Sequence, residues 1–162
     1  MTLDVRRVDY EHPDAVALTE LAQAFYVDLY GGPDEAPHTA DDLAPPNGGF
    51  LVGYLDEKPA AMGGWRLTDA SVEGASRPAE IKRMYVRDDL RRRGYAKVIL
   101  EALEADARAN GVDVIVLETG SPQVAAVGLY AASRYVPISD FGFYAGWPEA
   151  RAFAMRLTAQ PA

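Results

Sequence analysis

The chain of 162 residues has no cysteine and only two histidines. Without thiols it cannot form disulfides, bind zinc or iron–sulfur clusters through sulfur, or carry a cysteinyl covalent intermediate; a cytoplasmic setting is expected. His12 and His38 lie in proline-rich stretches without partners at ligand spacing, so no metal site is expected. Positive charge is also scarce. Sixteen Lys and Arg stand against 24 Asp and Glu, a formal net charge of −8, which disfavours nucleic acid as a partner because phosphate contacts need clustered cations. No run approaches the roughly 20 apolar residues needed to cross a bilayer, and the first residues lack a basic segment leading into an apolar one, so no membrane partner is expected. What remains is ordinary globular composition, 49% hydrophobic and 25% charged, at a length that suits a single domain over residues 1–162.

Apolar spacing divides the chain into a helix, a meander and an alternating second half. Leu18, Leu21, Ala22, Phe25 and Leu29 fall at offsets of 0, 3, 4, 7 and 11 and predict a one-faced helix from Pro13 to Tyr30, stopped by Gly31-Gly32-Pro33. Residues 33–49 read as a loop with at most a short helix over Thr39–Leu43. Phe50–Leu55 and Pro59–Thr68 read as a hairpin about Asp56-Glu57-Lys58, and Ala70–Pro78 as a turn leading to a third strand, Glu80–Arg87. Ala96, Ile99, Leu100, Leu103 and Ala107 repeat the same offsets in a helix ending at Asn110-Gly111. The nearly unbroken apolar run Val112–Leu117 predicts a strand buried on both faces and parallel to the one before the helix, a βαβ unit. Ser121-Pro122 predicts the start of a helix through about Ser133, and Tyr135–Ile138 with Arg151–Leu157 are the expected closing strands.

The most informative segment is Arg91-Arg92-Arg93-Gly94-Tyr95-Ala96, followed by Lys97, where a strand gives way to a helix. A helix start leaves main-chain N–H groups unpaired and carries partial positive charge, so a loop bending there over a residue without a Cβ can wrap a phosphate or pyrophosphate. Alone, the segment also reads as a basic helix start with an incidental glycine. It matches neither the nucleotide-binding G-x-x-x-x-G-K-[ST] nor G-x-G-x-x-G.

Taken with Glu80-Ile81-Lys82-Arg83-Met84-Tyr85-Val86, Leu117-Glu118-Thr119-Gly120 and Leu129-Tyr130 followed by Tyr135, this segment resembles the GCN5-related N-acetyltransferase (GNAT) superfamily. The resemblance covers Glu80 to about Ser139 and implies a mixed α/β (α+β) fold: N-terminal helix, antiparallel meander, βαβ unit and closing strands. It implies that Arg91 through Lys97 hold the pyrophosphate of acetyl-CoA. It also implies a bulge at about Met84 to Val86, where the main chain of Met84, Tyr85 and Val86 binds pantetheine and the acetyl carbonyl. Gln123 stands where relatives place a pantetheine-binding asparagine, and Arg134 where they commonly have glycine. The implied activity is direct transfer from acetyl-CoA to a small primary amine, with protein acetylation or a non-catalytic CoA sensor as alternatives and a homodimer admitted.

Such a transfer needs a base for the alkylammonium proton, donors for the developing oxyanion, and a proton for the departing thiolate. Tyr130 matches the tyrosine that many relatives use as general acid; on its own it also reads as a core residue beside Leu129 and Val127. Glu80 matches the base of some protein-acetylating relatives, or pairs with Lys82 as a strand-start carboxylate. Glu118 is a second candidate, with capping or pairing as its plainer reading. Tyr26, Tyr30, Trp65 and Tyr144 are candidate pocket walls, with packing as the plainer reading of any one of them, and the aromatic stretch Asp140–Pro148 reads as a lid or pocket wall or as a dimer contact. The acidic balance favours a cationic acceptor, whereas Lys82, Arg83 and Arg66 favour a carboxylate; the sequence leaves this open.

Overall fold

The computed structural model describes residues 2–37 and 39–157; His38 lies outside the described residues. Seven strands form a single mixed sheet in the order β1-β2-β3-β4-β5-β7-β6. The strands are β1 Asp4–Arg7, β2 Gly48–Leu55, β3 Lys58–Leu67, β4 Pro78–Val86, β5 Val114–Gly120, β6 Val136–Ile138 and β7 Ala150–Arg156. The helices are α1 Pro13–Tyr30, α2 Tyr95–Ala109 and α3 Val124–Ala132. β1 to β4 run as an antiparallel meander, β4 and β5 are parallel across α2, and β5, β7 and β6 close the sheet in antiparallel fashion. This is the mixed sheet that the sequence predicts, with one added edge strand, β1.

Local chemistry accounts for the boundaries. Pro13 opens α1, the His12 side chain accepts from the Asp14 N–H at 3.1 Å, and Gly31 closes the helix at φ +84°. The β2–β3 hairpin turns on Asp56 and Glu57, whose φ values of +48° and +62° give the twist that tight hairpins prefer. The short helix expected over Thr39–Leu43 is replaced by turns. There the Thr39 N–H donates to Asp42 Oδ2 at 2.8 Å and the Asp42 N–H to Thr39 Oγ1 at 3.3 Å, a capping pair with no helix to extend before Pro45-Pro46. α3 begins at Val124 rather than Pro122, with Gln123 as its cap. Arg134 holds φ +70°, the left-handed conformation for which glycine is suited.

The sheet is covered on both faces. α2 buries Ile99, Leu100, Leu103 and Ala107 against one face, with Ile81, Ile115, Leu117 and Trp65. Ala15, Leu18 and Ala22 of α1 cover the other, over Phe50, Val52, Met62 and Tyr85. Leu21, expected inward, is 47% exposed, because the buried stripe of α1 starts at Ala15 and passes through Leu18, Ala22 and Phe25. Among the described residues no helix is long and apolar enough to cross a membrane.

Candidate active site

β4 and β5 pair only from Pro78–Val114 to Ile81–Leu117. Beyond Leu117, β5 stays with β7 as far as Gly120–Ala150, while β4 turns away and leaves its edge from Lys82 to Val86 without a neighbour. The turn has a local cause. Met62 pairs with Tyr85 and Gly64 with Lys82, so Arg83 and Met84 together oppose Gly63, and Arg83 takes φ +60°. Such an extra residue bends the strand and takes main-chain groups out of the ladder. The bulge sits one residue earlier than the resemblance implied.

A cavity of about 410 Å³ opens in this gap. Ile81 to Met84 line it from β4, Glu118 to Gly120 from β5, Tyr26 and Tyr30 from α1, Tyr130 from α3, and Tyr144 and Trp147 from the loop between β6 and β7. Gly120 is needed for close approach, since a Cβ there would collide with the Tyr30 hydroxyl. That hydroxyl accepts from Gln123 Nε2 at 2.9 Å, which places Gln123 in the wall. The Tyr130 hydroxyl is buried and lies 3.8 Å from Met84 Sδ. Burial, with a smaller contribution from Tyr26, raises its pKa beyond the ordinary phenol range, so it stays protonated.

The two carboxylates singled out in the sequence occupy different environments. Glu80 is buried, 3.4 Å from Arg66 Nη2 and 3.7 Å from Lys82 Nζ, and is not among the residues lining the cavity. Glu118 lines it. Its Oε2 is buried without a hydrogen-bond partner among the described residues, and burial followed by the negative charge of Glu80 raises its pKa to about 7 against the pull of Lys82. Asp34, which no sequence signal marks, accepts from the Tyr144 hydroxyl at 2.6 Å and the Ala36 N–H at 3.0 Å and lies 3.7 Å from Arg83 Nε. Burial pushes its pKa up, but these donors and the charges of Arg83 and Lys82 outweigh that and hold it low. Trp65, a candidate for the pocket or for packing, packs: it is fully buried on the α2 side of the sheet, its Nε1 donating to Asp106 at 2.7 Å.

At the start of α2 the first intrahelical bond runs from the Val98 N–H to the Gly94 carbonyl at 3.3 Å, so the N–H groups of Tyr95, Ala96 and Lys97 precede the helical ladder. Gly94 has φ +83° and Arg92 +64°, and the position of a Gly94 Cβ is open space. Arg92, Arg93 and Lys97 are exposed, while Tyr95 packs on the core. Arg91 faces inward. Its guanidinium lies 4.5 Å from the Phe25 ring centroid and 5.5 Å from that of Tyr85, and its Nε donates to the Val86 carbonyl at 3.2 Å. It therefore ties the turn to the end of β4. Among the described residues no group of three His, Cys, Asp or Glu is placed to hold a metal.

The chain is similar to known proteins in sequence and in fold. The family model Acetyltransferase (GNAT) family matches residues 15–134. The chain is 32% identical over 131 residues to an IAA acetyltransferase of Azospirillum brasilense, covering 80% of this chain and 81% of the relative. A Klebsiella pneumoniae structure assigned as an acyl-CoA N-acyltransferase superposes with a TM-score of 0.79 at 23% identity, covering 97% of this chain and 99% of that one. A Salmonella typhimurium structure assigned as an acetyltransferase, with its cofactor acetyl-CoA, gives 0.70 at 17% identity over 100% and 98% of the two chains. At these identities the two structures establish the shared fold.

Proposed function

Since this chain belongs to the acetyltransferase (GNAT) family, we propose that it moves an acetyl group from acetyl-CoA directly onto the primary amine of a small molecule. The reading is carried by one observation: Glu118, Tyr130 and the bulged main chain at Met84 face a single cavity in the gap between β4 and β5.

The residues fit the coenzyme. The turn from Arg91 to Lys97 offers unpaired N–H groups, two left-handed residues and open space over Gly94, with exposed basic side chains beside it. That combination suits a diphosphate. The β4 edge from Lys82 to Val86, beyond the end of its pairing with β5, offers main-chain groups to the pantetheine arm and the acetyl carbonyl. Acetyl-CoA supplies an activated acyl carbon on a thiol leaving group.

Glu118 is the proposed base. A carboxyl with a pKa of about 7 is matched to take a proton from an alkylammonium at neutral pH. The freed nitrogen bonds to the acyl carbon as the carbon–sulfur bond breaks. Tyr130 donates its hydroxyl proton to the departing thiolate. The nitrogen gives up two protons in all: one passes through Glu118 to solvent, and the other restores Tyr130. Glu80, held between Arg66 and Lys82, acts on Glu118 through its charge and does not touch the acceptor. The loop carrying Tyr144 and Trp147, tied to Asp34 beside a cavity of about 410 Å³, supports the reading of a small acceptor.

The test is thiol release from acetyl-CoA with a panel of small primary amines and peptides. Wild type should turn over small amines, and Tyr130→Phe should lose about 10²-fold in kcat with coenzyme binding and thermal midpoint kept. Full turnover by the variant would remove Tyr130 from the mechanism, and turnover of peptides alone would overturn the small acceptor.

A further inference from the structure

We infer that the acceptor is an alkylamine carrying a second cationic group, a diamine or polyamine, and not an amine bearing a carboxylate. The inference rests on the transfer reading above and concerns what the same cavity selects.

The cavity is lined by four acidic side chains, Asp34, Glu35, Glu118 and Glu149, and two basic ones, Lys82 and Arg83; acids outnumber bases by 4 − 2 = 2, and the lining stays net negative with Glu118 only partly ionised near neutral pH. The basic pair is already engaged. Lys82 Nζ lies 3.7 Å from Glu80 and Arg83 Nε 3.7 Å from Asp34, with the two side chains only 12% and 6% exposed. A substrate carboxylate would have to share these covered cations with Glu80 and Asp34, whose negative charges lie 3.7 Å from them and oppose its approach.

The acids are disposed differently. Asp34 is taken up by Arg83, Tyr144 and Ala36. Glu118 lies inside with a buried oxygen that no donor among the described residues satisfies. Glu149 and Glu35 stand exposed at the rim. One cation can therefore be held at the reacting position and another at the mouth.

Aromatic rings line the path between them. Tyr144 and Trp147 meet edge to face with centroids 5.0 Å apart, and Tyr26 and Tyr30 line the same cavity with centroids 6.3 Å apart. Aromatic faces attract alkylammonium groups and repel carboxylates. The net charge of −8 acts in the same direction at long range.

Putrescine, butylamine and γ-aminobutyrate share a four-carbon chain and one primary amine and differ only at the far end. With acetyl-CoA and a thiol assay, kcat/KM for putrescine should exceed that for butylamine by about 10-fold, the size of one favourable ionic contact in a partly covered site. γ-Aminobutyrate should fall below butylamine. Added salt should narrow the putrescine preference, and the double variant Glu35→Gln/Glu149→Gln should reduce the putrescine-to-butylamine ratio about 5-fold or more. Equal use of putrescine and butylamine, a lead for γ-aminobutyrate, or a ratio unmoved by the double variant overturns this inference and leaves the transfer reading standing. No thiol from any of the three, with acetyl-CoA still raising the thermal midpoint, overturns the small-amine reading and this inference with it.

Discussion

Tyr144 donates its hydroxyl hydrogen to Asp34 Oδ1 at 2.6 Å, while Asp34 Oδ2 lies 3.7 Å from Nε of Arg83, the left-handed residue of the β4 bulge. One carboxylate thus joins the aromatic loop above the cavity to the main-chain bend beneath it. The Tyr144 hydroxyl also accepts from the Glu35 N–H at 2.9 Å, so it closes the loop after α1 as well.

Tyr144→Phe removes both hydrogen bonds and keeps the ring. Loss of a hydrogen bond to an ionised group costs about 1.5–3 kcal/mol. The acceptor KM is expected to rise about 10-fold with kcat within about 3-fold, because the wall loosens while Glu118 and Tyr130 stay in place. Steady-state kinetics with saturating acetyl-CoA decide it; a fall confined to kcat would mean that the loop acts on the bulge instead.

Glu118→Gln should lower kcat by about 10²–10³-fold. In wild type, kcat/KM should rise with pH through a limb near 7, as Glu118 loses its proton, and the variant should lack that limb. Stability follows the opposite sense. A carboxyl whose pKa is raised by folding binds its proton more tightly in the native state, so its effect on stability improves as pH falls through about 7 and is adverse above it. Replacement by glutamine is expected to raise the thermal midpoint at alkaline pH and to change it little in acid; calorimetry across pH checks this. A wild-type limb that persists in the variant assigns it to another group.

Gly94→Glu places bulk and negative charge in the open space at the start of α2, and the +83° φ adds backbone strain of roughly 1 kcal/mol. The thermal shift produced by acetyl-CoA should disappear. Gly94→Ala carries the same strain without the charge and should retain most of that shift; equal loss in both variants would point to the backbone rather than to a phosphate clash.

The parts legible in the sequence are those fixed by short-range pattern. Ile99, Leu100, Leu103 and Ala107 face the core as their spacing predicts, and the parallel pairing of β4 with β5 follows from an apolar run after a helix. α1 was less transparent: Leu21 and Ala15 both suit a helix face, and only the tertiary contacts select Ala15. β1 carries a single apolar residue, Val5, in the stretch Asp-Val-Arg-Arg, so an edge strand there has no periodic signature. Tyr130 and Met84, singled out by motif, both line the cavity. Glu118 was visible as a carboxylate at a strand end, but its environment depends on Glu80 in the neighbouring strand. Asp34 gave no signal because its partners, Arg83 and Tyr144, lie 49 and 110 positions away. Trp65 takes the packing alternative that the sequence also offered, because an aromatic in β3 suits either face of the sheet and packing against α2 decides between them.

Glu80, held between Arg66 and Lys82, sits behind the cavity wall, yet its charge adds to burial in raising the proton affinity of Glu118 inside. Working acidity and substrate fit are therefore adjustable on separate strands. A change on β4 that never meets the acceptor can retune the enzyme to a more acidic or more alkaline milieu, and the loops above can diversify toward new amines without disturbing that setting.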